Sequence, residues 1–141
     1  MKKLASGLVA LTLALSFSTS AFAAVYQEYE PNNNWKSANS FYAAHGNQIN
    51  GKLDRDNNDS QDKFTFIATK TQKIRLQLTY SKAGGQLFTL DCNGETTTKT
   101  KDYIDIDVEA GKQYWFEVYR EVSSSENKNY NYSVYCYELT N

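Results

Sequence analysis

Two stretches of the chain are rich in side-chain oxygen atoms that could bind a cation. Residues 28–33 read Glu-Tyr-Glu-Pro-Asn-Asn, and residues 54–62 contain four aspartates and two asparagines. Calcium in proteins takes roughly six to eight oxygen ligands, which carboxylates and amide carbonyls supply. Composition alone leaves two interpretations open, a calcium site or a solvated acidic turn, and it favours the turn.

The second stretch resembles an EF-hand loop only superficially. Asp54, Asp56 and Asn58 stand at alternate positions, as the first ligands of such a loop do. However, the sixth position is Asp59, where the loop needs glycine, and the twelfth is Thr65, where a bidentate glutamate belongs. The stretch is therefore not an EF-hand.

Aromatic side chains near the C-terminal end could bind a ligand surface. In residues 114–119 and 130–137 they occur on both parities of a period-two pattern, so each strand would carry rings on both faces. The outward-facing set is Trp115, Tyr119, Tyr135 and Tyr137. If these two strands pair, the four rings share one exposed face, which is typical of a binding site. Alternatively, a loop, the N-terminal segment or a second subunit covers them.

Nucleophilic and acid–base catalysis find little support in the residue inventory. His45 is the only histidine, and neither a Gly-x-Ser-x-Gly nucleophile elbow nor a Cys-His signature accompanies it. A histidine-based zinc site needs more than one such ligand. Paired carboxylates could hydrolyse a substrate, but the acids here fall in loops and on outward strand positions. We therefore predict that the protein is not an enzyme.

The N-terminal residues have the features of a secretory signal. Two lysines precede an apolar run, and Ala-Phe-Ala at residues 21–23 is a cleavage pattern. Cleavage there leaves one domain over residues 24–141 and changes the formal net charge from −1 to −3, because two lysines are removed. We expect a secreted, extracellular protein. Weak acidity argues against nucleic-acid and membrane partners, and no later apolar run approaches the roughly 20 residues that span a bilayer.

The two cysteines, Cys92 and Cys136, are predicted to form a disulfide. An even pair in an exported chain is usually bonded, and both residues fall on inward-facing positions of their strands. Free thiols, a metal site and an intermolecular bridge are the alternatives.

These candidate residues must be positioned by β-strands, because apolar side chains alternate with period two from about residue 62 onward. Asn93-Gly94 is typical of a hairpin turn. The alternation and one earlier segment indicate seven short strands, near residues 48–53, 62–68, 73–80, 88–92, 103–108, 114–118 and 130–136. We predict an all-β protein, a β-sandwich of about 7–8 strands.

Residues 35–41 have room for one or two helical turns at the N-terminal end of the domain. Asn33 or Asn34 is available as the N-cap, since an asparagine side chain can accept from the free amide groups of a first turn. A short helical turn before the strands is therefore predicted.

Four short motifs follow one another along the chain. They are Glu-Pro-Asn-Asn at 30–33, Gly51-x-Leu53, Asp-Lys-Phe-Thr-Phe at 62–66, and residues 110–118 followed by Tyr-Asn-Tyr-Ser-Val at 130–134. Together they resemble the bacterial pre-peptidase C-terminal domain family, over about residues 26–138. This family includes the collagen-binding domains of clostridial collagenases. The resemblance implies a β-sandwich of jelly-roll type, which agrees with the strand count.

The resemblance also implies two sites. Where the acidic N-terminal segment meets the aspartate loop, it implies a calcium site. Carried over by position, the ligands are Glu28, Glu30, Asn32, Asn33, Asp59 and Asp62, with Asp56 as the alternative to Asp59. Exposed aromatics on late strands would hold a collagen-like triple helix, with Tyr119 in such a position and Trp115, Tyr135 and Tyr137 as its neighbours.

We therefore predict a secreted, non-catalytic binding module, with calcium as its cofactor. Its partner would be an extracellular protein of collagen-like type, or a polysaccharide. A second hypothesis is an accessory, regulatory or chaperone-like partner of a separately encoded secreted peptidase.

Overall fold

Two five-stranded β-sheets pack face to face in the computed structural model of the protein. The structure describes residues 23–54, 58–81, 88–120 and 130–140. Ten strands occur in these ranges: β1 (Val25–Gln27), β2 (Asn39–Ser40), β3 (Gln48–Leu53), β4 (Gln61–Ile67), β5 (Gln72–Tyr80), β6 (Phe88–Cys92), β7 (Glu95–Thr96), β8 (Tyr103–Val108), β9 (Gln113–Arg120) and β10 (Tyr130–Leu139). The first sheet has the order β1-β3-β10-β5-β8, and the second has the order β2-β4-β9-β6-β7.

Strand pairing is nested along the chain. β3 pairs with β10, β4 with β9, β5 with β8 and β6 with β7, all antiparallel. Successive pairs fall in alternate sheets, which is the jelly-roll arrangement. The short strands β1 and β2 add in parallel beside β3 and β4. The predicted jelly-roll sandwich is confirmed, with eight strands in the roll and two short strands at its edges.

The core follows the predicted alternation. In β8 and β9 every second side chain is buried between the sheets. Phe116 is fully buried and stacks on Phe64, with the ring centroids 4.9 Å apart. Because inward and outward positions are fixed by this packing, each side chain on an outer face is held at a defined place on the sandwich.

The Asn93-Gly94 hairpin turn is confirmed between β6 and β7. Asn93 has φ of 56° and Gly94 has φ of 82°, so both residues lie in the left-handed region. A tight hairpin turn of this kind requires positive φ at both central residues, which asparagine and glycine adopt readily.

The predicted helical turn is confirmed as a 3₁₀ turn at Trp35–Ser37. Its cap is Asn34, whose Oδ1 accepts from the backbone amides of Lys36 at 3.0 Å and Ser37 at 3.2 Å. The turn is shorter than the space that the sequence leaves for it, because Asn39–Ser40 pairs with β4 as a strand.

The structure does not confirm the predicted disulfide. Cys92 and Cys136 are free, buried thiols that lie in opposite sheets. The strand of Cys92, β6, packs across from β5 and β8, whereas β10 lies beyond β5 in the other sheet. Burial raises the pKa of each thiol to about 12, so both stay protonated and unreactive in the core.

We expect a reducing agent to leave the thermal unfolding midpoint unchanged, because no bond joins Cys92 to Cys136. A thiol reagent added without reductant should label both cysteines after unfolding. At pH 8 it should label neither cysteine in the native protein. Detection of thiols only after reduction would contradict this prediction.

The predicted secretory signal lies outside the described residues, except for Ala23. Among the described residues, no helix has the length and apolar character needed to cross a membrane. Export therefore stays a prediction from the N-terminal sequence.

Candidate functional site

Three carboxylates meet at one edge of the sandwich. One oxygen each from Glu28, Glu30 and Asp62 lie within 4.8 Å of one another. Glu28 and Glu30 belong to the segment that follows β1, and Asp62 is the second residue of β4. We call these three residues the acidic cluster.

Parallel pairing of β1 with β3 brings Glu28 to this place. Its backbone amide donates to the Asn50 carbonyl at 2.9 Å, and its Oε1 accepts from the Lys52 amide at 2.5 Å. Gly51, between these two residues, leaves room for the glutamate. A Cβ at position 51 would lie 2.6 Å from Glu28 Oε2 and 2.2 Å from the hydroxyl of Tyr132.

Tyr132 joins the cluster from β10 and was not expected in the site. Its hydroxyl lies 2.5 Å from Asp62 Oδ2, to which it donates, and 3.2 Å from Glu28 Oε2. The sequence pattern places Tyr132 correctly on the inward face of its strand. However, only the pairing of β10 with β3 shows that the end of its ring reaches two acids.

The segment of residues 28–34 is docked on the second sheet. The Asn39 side chain accepts from the Tyr29 amide at 2.6 Å and donates to the Tyr29 carbonyl at 3.0 Å. Farther along, the Asn32 carbonyl accepts from the Lys63 amide at 3.0 Å. Asn32 itself is fully buried, and its side chain lies 3.5 Å from Asn39, so it helps to anchor the segment.

Two further predicted ligands lie beside the cluster with unsatisfied oxygens. Asp59 is only 5% exposed, and its Oδ2 accepts from the Asp54 amide at 2.8 Å. Asp59 Oδ1 and Asn33 Oδ1 are buried and have no hydrogen-bond partner among the described residues. Both residues line a cavity of about 450 Å³ together with Glu28 and Glu30. Asp56, the alternative to Asp59, lies outside the described residues.

Crowding of these acids perturbs their ionisation. Burial, reinforced by the charge of Glu28, raises the pKa of Asp62 to about 10. Burial is also the main cause that raises the pKa of Asp59 to about 6, and it raises the pKa of Glu28 as well. An all-oxygen donor set with two unsatisfied buried oxygens fits a calcium ion, which would offset the repulsion among the carboxylates.

We expect the metal-free protein to lose stability as the pH rises from 5 to 8. A carboxyl group with a raised native pKa binds its proton more tightly in the folded state, so ionisation opposes folding. The loss begins near the unfolded-state pKa of about 4. It continues through the pKa of about 6 for Asp59 and toward that of about 10 for Asp62.

Unfolding midpoints in EDTA at pH 5, 6.5 and 8 would measure this slope. Asp62→Asn should flatten it, whereas Asp107→Asn, which neutralises an exposed acid paired with Lys73, should not. A midpoint that rises with pH in EDTA would show that the acidic cluster does not oppose folding.

Trp115 lies on the outer face of the second sheet and is 36% exposed. Trp35, which is 45% exposed, packs against it with ring centroids 5.5 Å apart and planes at 81°. The sequence pattern missed Trp35, because its 3₁₀ turn carries no strand parity that would place it on this face. Lys63 Nζ lies 4.1 Å from the Trp35 ring centroid and forms an ion pair with Glu117.

The four predicted aromatics do not share one face. β9 and β10 are not paired: β9 lies in the second sheet and β10 in the first. Trp115 and the half-buried Tyr119 therefore occupy one side of the sandwich, and Tyr135 and Tyr137 occupy the opposite side. The nested pairing explains the difference, because it places β9 and β10 in different sheets although they are consecutive in the chain.

His45 makes structural contacts with β10. Its Nδ1 accepts from the Glu138 amide at 3.2 Å, and its ring packs edge-on against Tyr137 at 5.8 Å. It thereby helps to hold the Tyr137 ring in place.

No protein-family model matches the chain, and no curated protein matches it. Several solved structures are similar to it, including the following two. A pre-peptidase C-terminal domain of collagenase from Bacillus anthracis is 17% identical, with a TM-score of 0.49, over 70% of this chain and 93% of that one. A periplasmic inhibitor of g-type lysozyme from Aeromonas hydrophila is 13% identical, with a TM-score of 0.46, over 83% of this chain and 97% of that one.

The first of these structures is a domain of the family that the sequence motifs resemble. At these identities and scores, neither similarity carries an argument about binding.

Proposed function

We propose that the protein is a non-catalytic binding module that holds a calcium ion and contacts an extracellular protein. The calcium ion would lie at the acidic cluster, and Trp35 and Trp115 would make the contact. The observation that carries the proposal is the exposed, perpendicular pair of tryptophans on the second sheet.

The calcium part of the proposal rests on the donor set. Carboxylates of Glu28, Glu30, Asp59 and Asp62 and the amide oxygen of Asn33 supply five oxygen-bearing side chains. Bidentate carboxylates and water molecules would complete the roughly six to eight ligands that calcium prefers. Because a bound carboxylate is ionised, binding would release the proton that Asp62 retains in the metal-free protein.

The segment of residues 28–34 links the proposed calcium site to the tryptophans. It begins with two acids of the cluster and ends at Asn34, which caps the turn that carries Trp35. Calcium held by Glu28 and Glu30 would fix this segment, and with it the position of Trp35 on Trp115. Binding of the protein partner to the tryptophans is therefore expected to weaken when calcium is removed.

Tryptophan suits a contact with a protein surface. A tryptophan ring buries a large area at low conformational cost, and tryptophans are enriched among the residues that dominate interface energies. The perpendicular arrangement presents one ring face beside one ring edge, which fits an irregular protein surface better than a flat sugar chain. Tyr119, on the same strand, would extend the contact.

Retention on insoluble collagen in calcium buffer would test the proposal. Trp115→Ala and Trp35→Ala should each reduce retention by roughly 30-fold, the effect of a strong interface residue. The matched control is Tyr42→Ala, since Tyr42 is 51% exposed and lines a different cavity, beside Ala24 and His45. Loss of retention in the control, or equal retention in all variants, would contradict the assignment.

In the second hypothesis, the protein is a partner of a secreted peptidase, and the same two tryptophans would contact that peptidase. It predicts that a peptidase elutes with the tagged protein from culture supernatant, and that Trp115→Ala abolishes this elution. Retention on collagen without any associated peptidase would favour the first hypothesis.

A further inference from the structure

A groove of about 830 Å³ crosses the outer face of the first sheet, on the side opposite the tryptophans. This volume lies within the range of roughly 300–1,000 Å³ that is typical of ligand sites. Neutral polar side chains dominate its lining: Gln27, Gln48, Asn50, Thr79, Asn131 and Ser133. Its described charged residues are Glu28 and Lys52.

Strand register arranges the polar side chains in rows across the sheet. Cross-strand partners project from the same side of a sheet, so each row is continuous. One row is Gln27, Asn50, Ser133 and Thr79, and the next row is Gln48, Tyr135, Gln77 and Tyr103. Amides, hydroxyls and tyrosine rings thus form one surface along β10.

Hydrogen bonds fix the two central amides. Asn50 Oδ1 accepts from Ser133 Oγ at 2.7 Å and from Gln48 Nε2 at 2.5 Å. Gln48 Nε2 also lies 3.3 Å from Ser133 Oγ. Asn50 Nδ2 and Gln48 Oε1 make no hydrogen bond with the described part of the protein, which leaves a fixed donor beside a fixed acceptor.

Two tyrosines continue this surface along the strand. The rings of Tyr135 and Tyr137 have planes within 10° of each other and centroids 6.3 Å apart. Tyr135 lies opposite Gln48 in the register, so the aromatic strip begins where the amides end. Both residues are half-buried and lie on one outer face of β10, so the exposed parts of their rings offer apolar contacts to successive sugar rings.

The arginine beside this surface is already paired. Arg75, which lies opposite Tyr137, donates two hydrogen bonds to Asp105 at 2.7 and 2.9 Å and stacks on Tyr103 at 3.7 Å. An anionic polymer would have to compete with this carboxylate. In the groove itself the charges of Glu28 and Lys52 offset each other, so its hydrogen-bonding groups favour an uncharged ligand.

We infer that this face binds a neutral, linear polysaccharide lying along β10. Sugar rings pack on Tyr135 and Tyr137, and sugar hydroxyls bond to Asn50 Nδ2 and Gln48 Oε1. The site is independent of the protein contact proposed for Trp35 and Trp115.

Affinity electrophoresis in native gels containing calcium would test this inference. The probes are mixed-linkage β-glucan, xyloglucan and galactomannan as neutral polymers, and polygalacturonate as an anionic one. At least one neutral polymer should retard the protein. Tyr135→Ala should weaken that retardation roughly tenfold, the upper effect of one aromatic contact, whereas Tyr135→Phe should preserve it.

Asn50→Ala should also weaken retardation, and Trp115→Ala should not, which separates this site from the tryptophan surface. If Asn50→Ala lowers the unfolding midpoint, its weaker retardation could reflect lost stability. The Tyr135→Ala variant then tests the inference, because Tyr135 takes no part in the hydrogen bonds of Asn50. Three results would overturn the inference: no retardation by any neutral polymer, retardation by polygalacturonate alone, or equal retardation of Tyr135→Ala and the parent.

Discussion

Millimolar calcium is expected to raise the thermal unfolding midpoint by about 10 °C over its value in EDTA. A ligand at 100 times its dissociation constant stabilises the native state by about 2.7 kcal/mol. For a domain of this size, each kcal/mol raises the midpoint by roughly 4 °C. The physical reason is the crowding of three carboxylates at the acidic cluster, where burial and the charge of Glu28 raise the pKa of Asp62 to about 10 when no cation is bound.

Variants would locate the ion. Asp62→Asn and Glu30→Gln should remove most of the calcium response, because each deletes one charge of the acidic cluster. Glu109→Gln is the matched control, since Glu109 pairs with Lys112 at an exposed turn. An equal midpoint in calcium and EDTA would leave the acidic cluster without a metal role.

Gly51→Ala is expected to destabilise the protein by about 3 kcal/mol, at the upper end of the usual range for overpacking. The new Cβ would lie 2.2 Å from both the Tyr132 hydroxyl and Cζ, and 2.6 Å from Glu28 Oε2. Tyr132 cannot move away easily, because it is buried on the central strand of its sheet and packs edge-on against Phe88. The calcium response should fall as well, since Glu28 is displaced.

Gly111→Ala provides the control for Gly51→Ala. Gly111 has φ of 81°, but a Cβ there would meet nothing within 4 Å. The cost is therefore backbone strain alone, about 1 kcal/mol. Urea unfolding would compare the two variants, and a larger loss in Gly111→Ala than in Gly51→Ala would contradict the steric argument.

The strands and their buried faces could be predicted from the sequence because both depend on local alternation. The pattern of Ile104, Ile106 and Val108 specifies one inward face, and the structure buries all three. Alternation does not specify which sheet a strand joins. The sequence therefore places Trp115 and Tyr135 on one surface only if their strands pair, and long-range pairing puts them on opposite sides instead.

The acidic cluster could be predicted only in part. Its acids were identified from oxygen-rich segments and from motif order, and the structure brings Glu28, Glu30 and Asp62 together. Tyr132 and Gly51 could not be identified as parts of the site, because their roles arise from the pairing of β10 with β3. In that register Tyr132 lies directly opposite Gly51, across a gap that glycine leaves open.

The nested pairing has a consequence for how the chain acquires its fold. β10 lies between β3 and β5, so these two strands cannot be joined into the first sheet until β10 has been synthesised. Its partners precede it by at least 50 residues, and contacts over such separations make folding slow, typically milliseconds to seconds. A chain emerging from a ribosome or a translocation pore would thus stay unfolded until β10 is released. A fragment ending before Tyr130 should have no native sandwich at all.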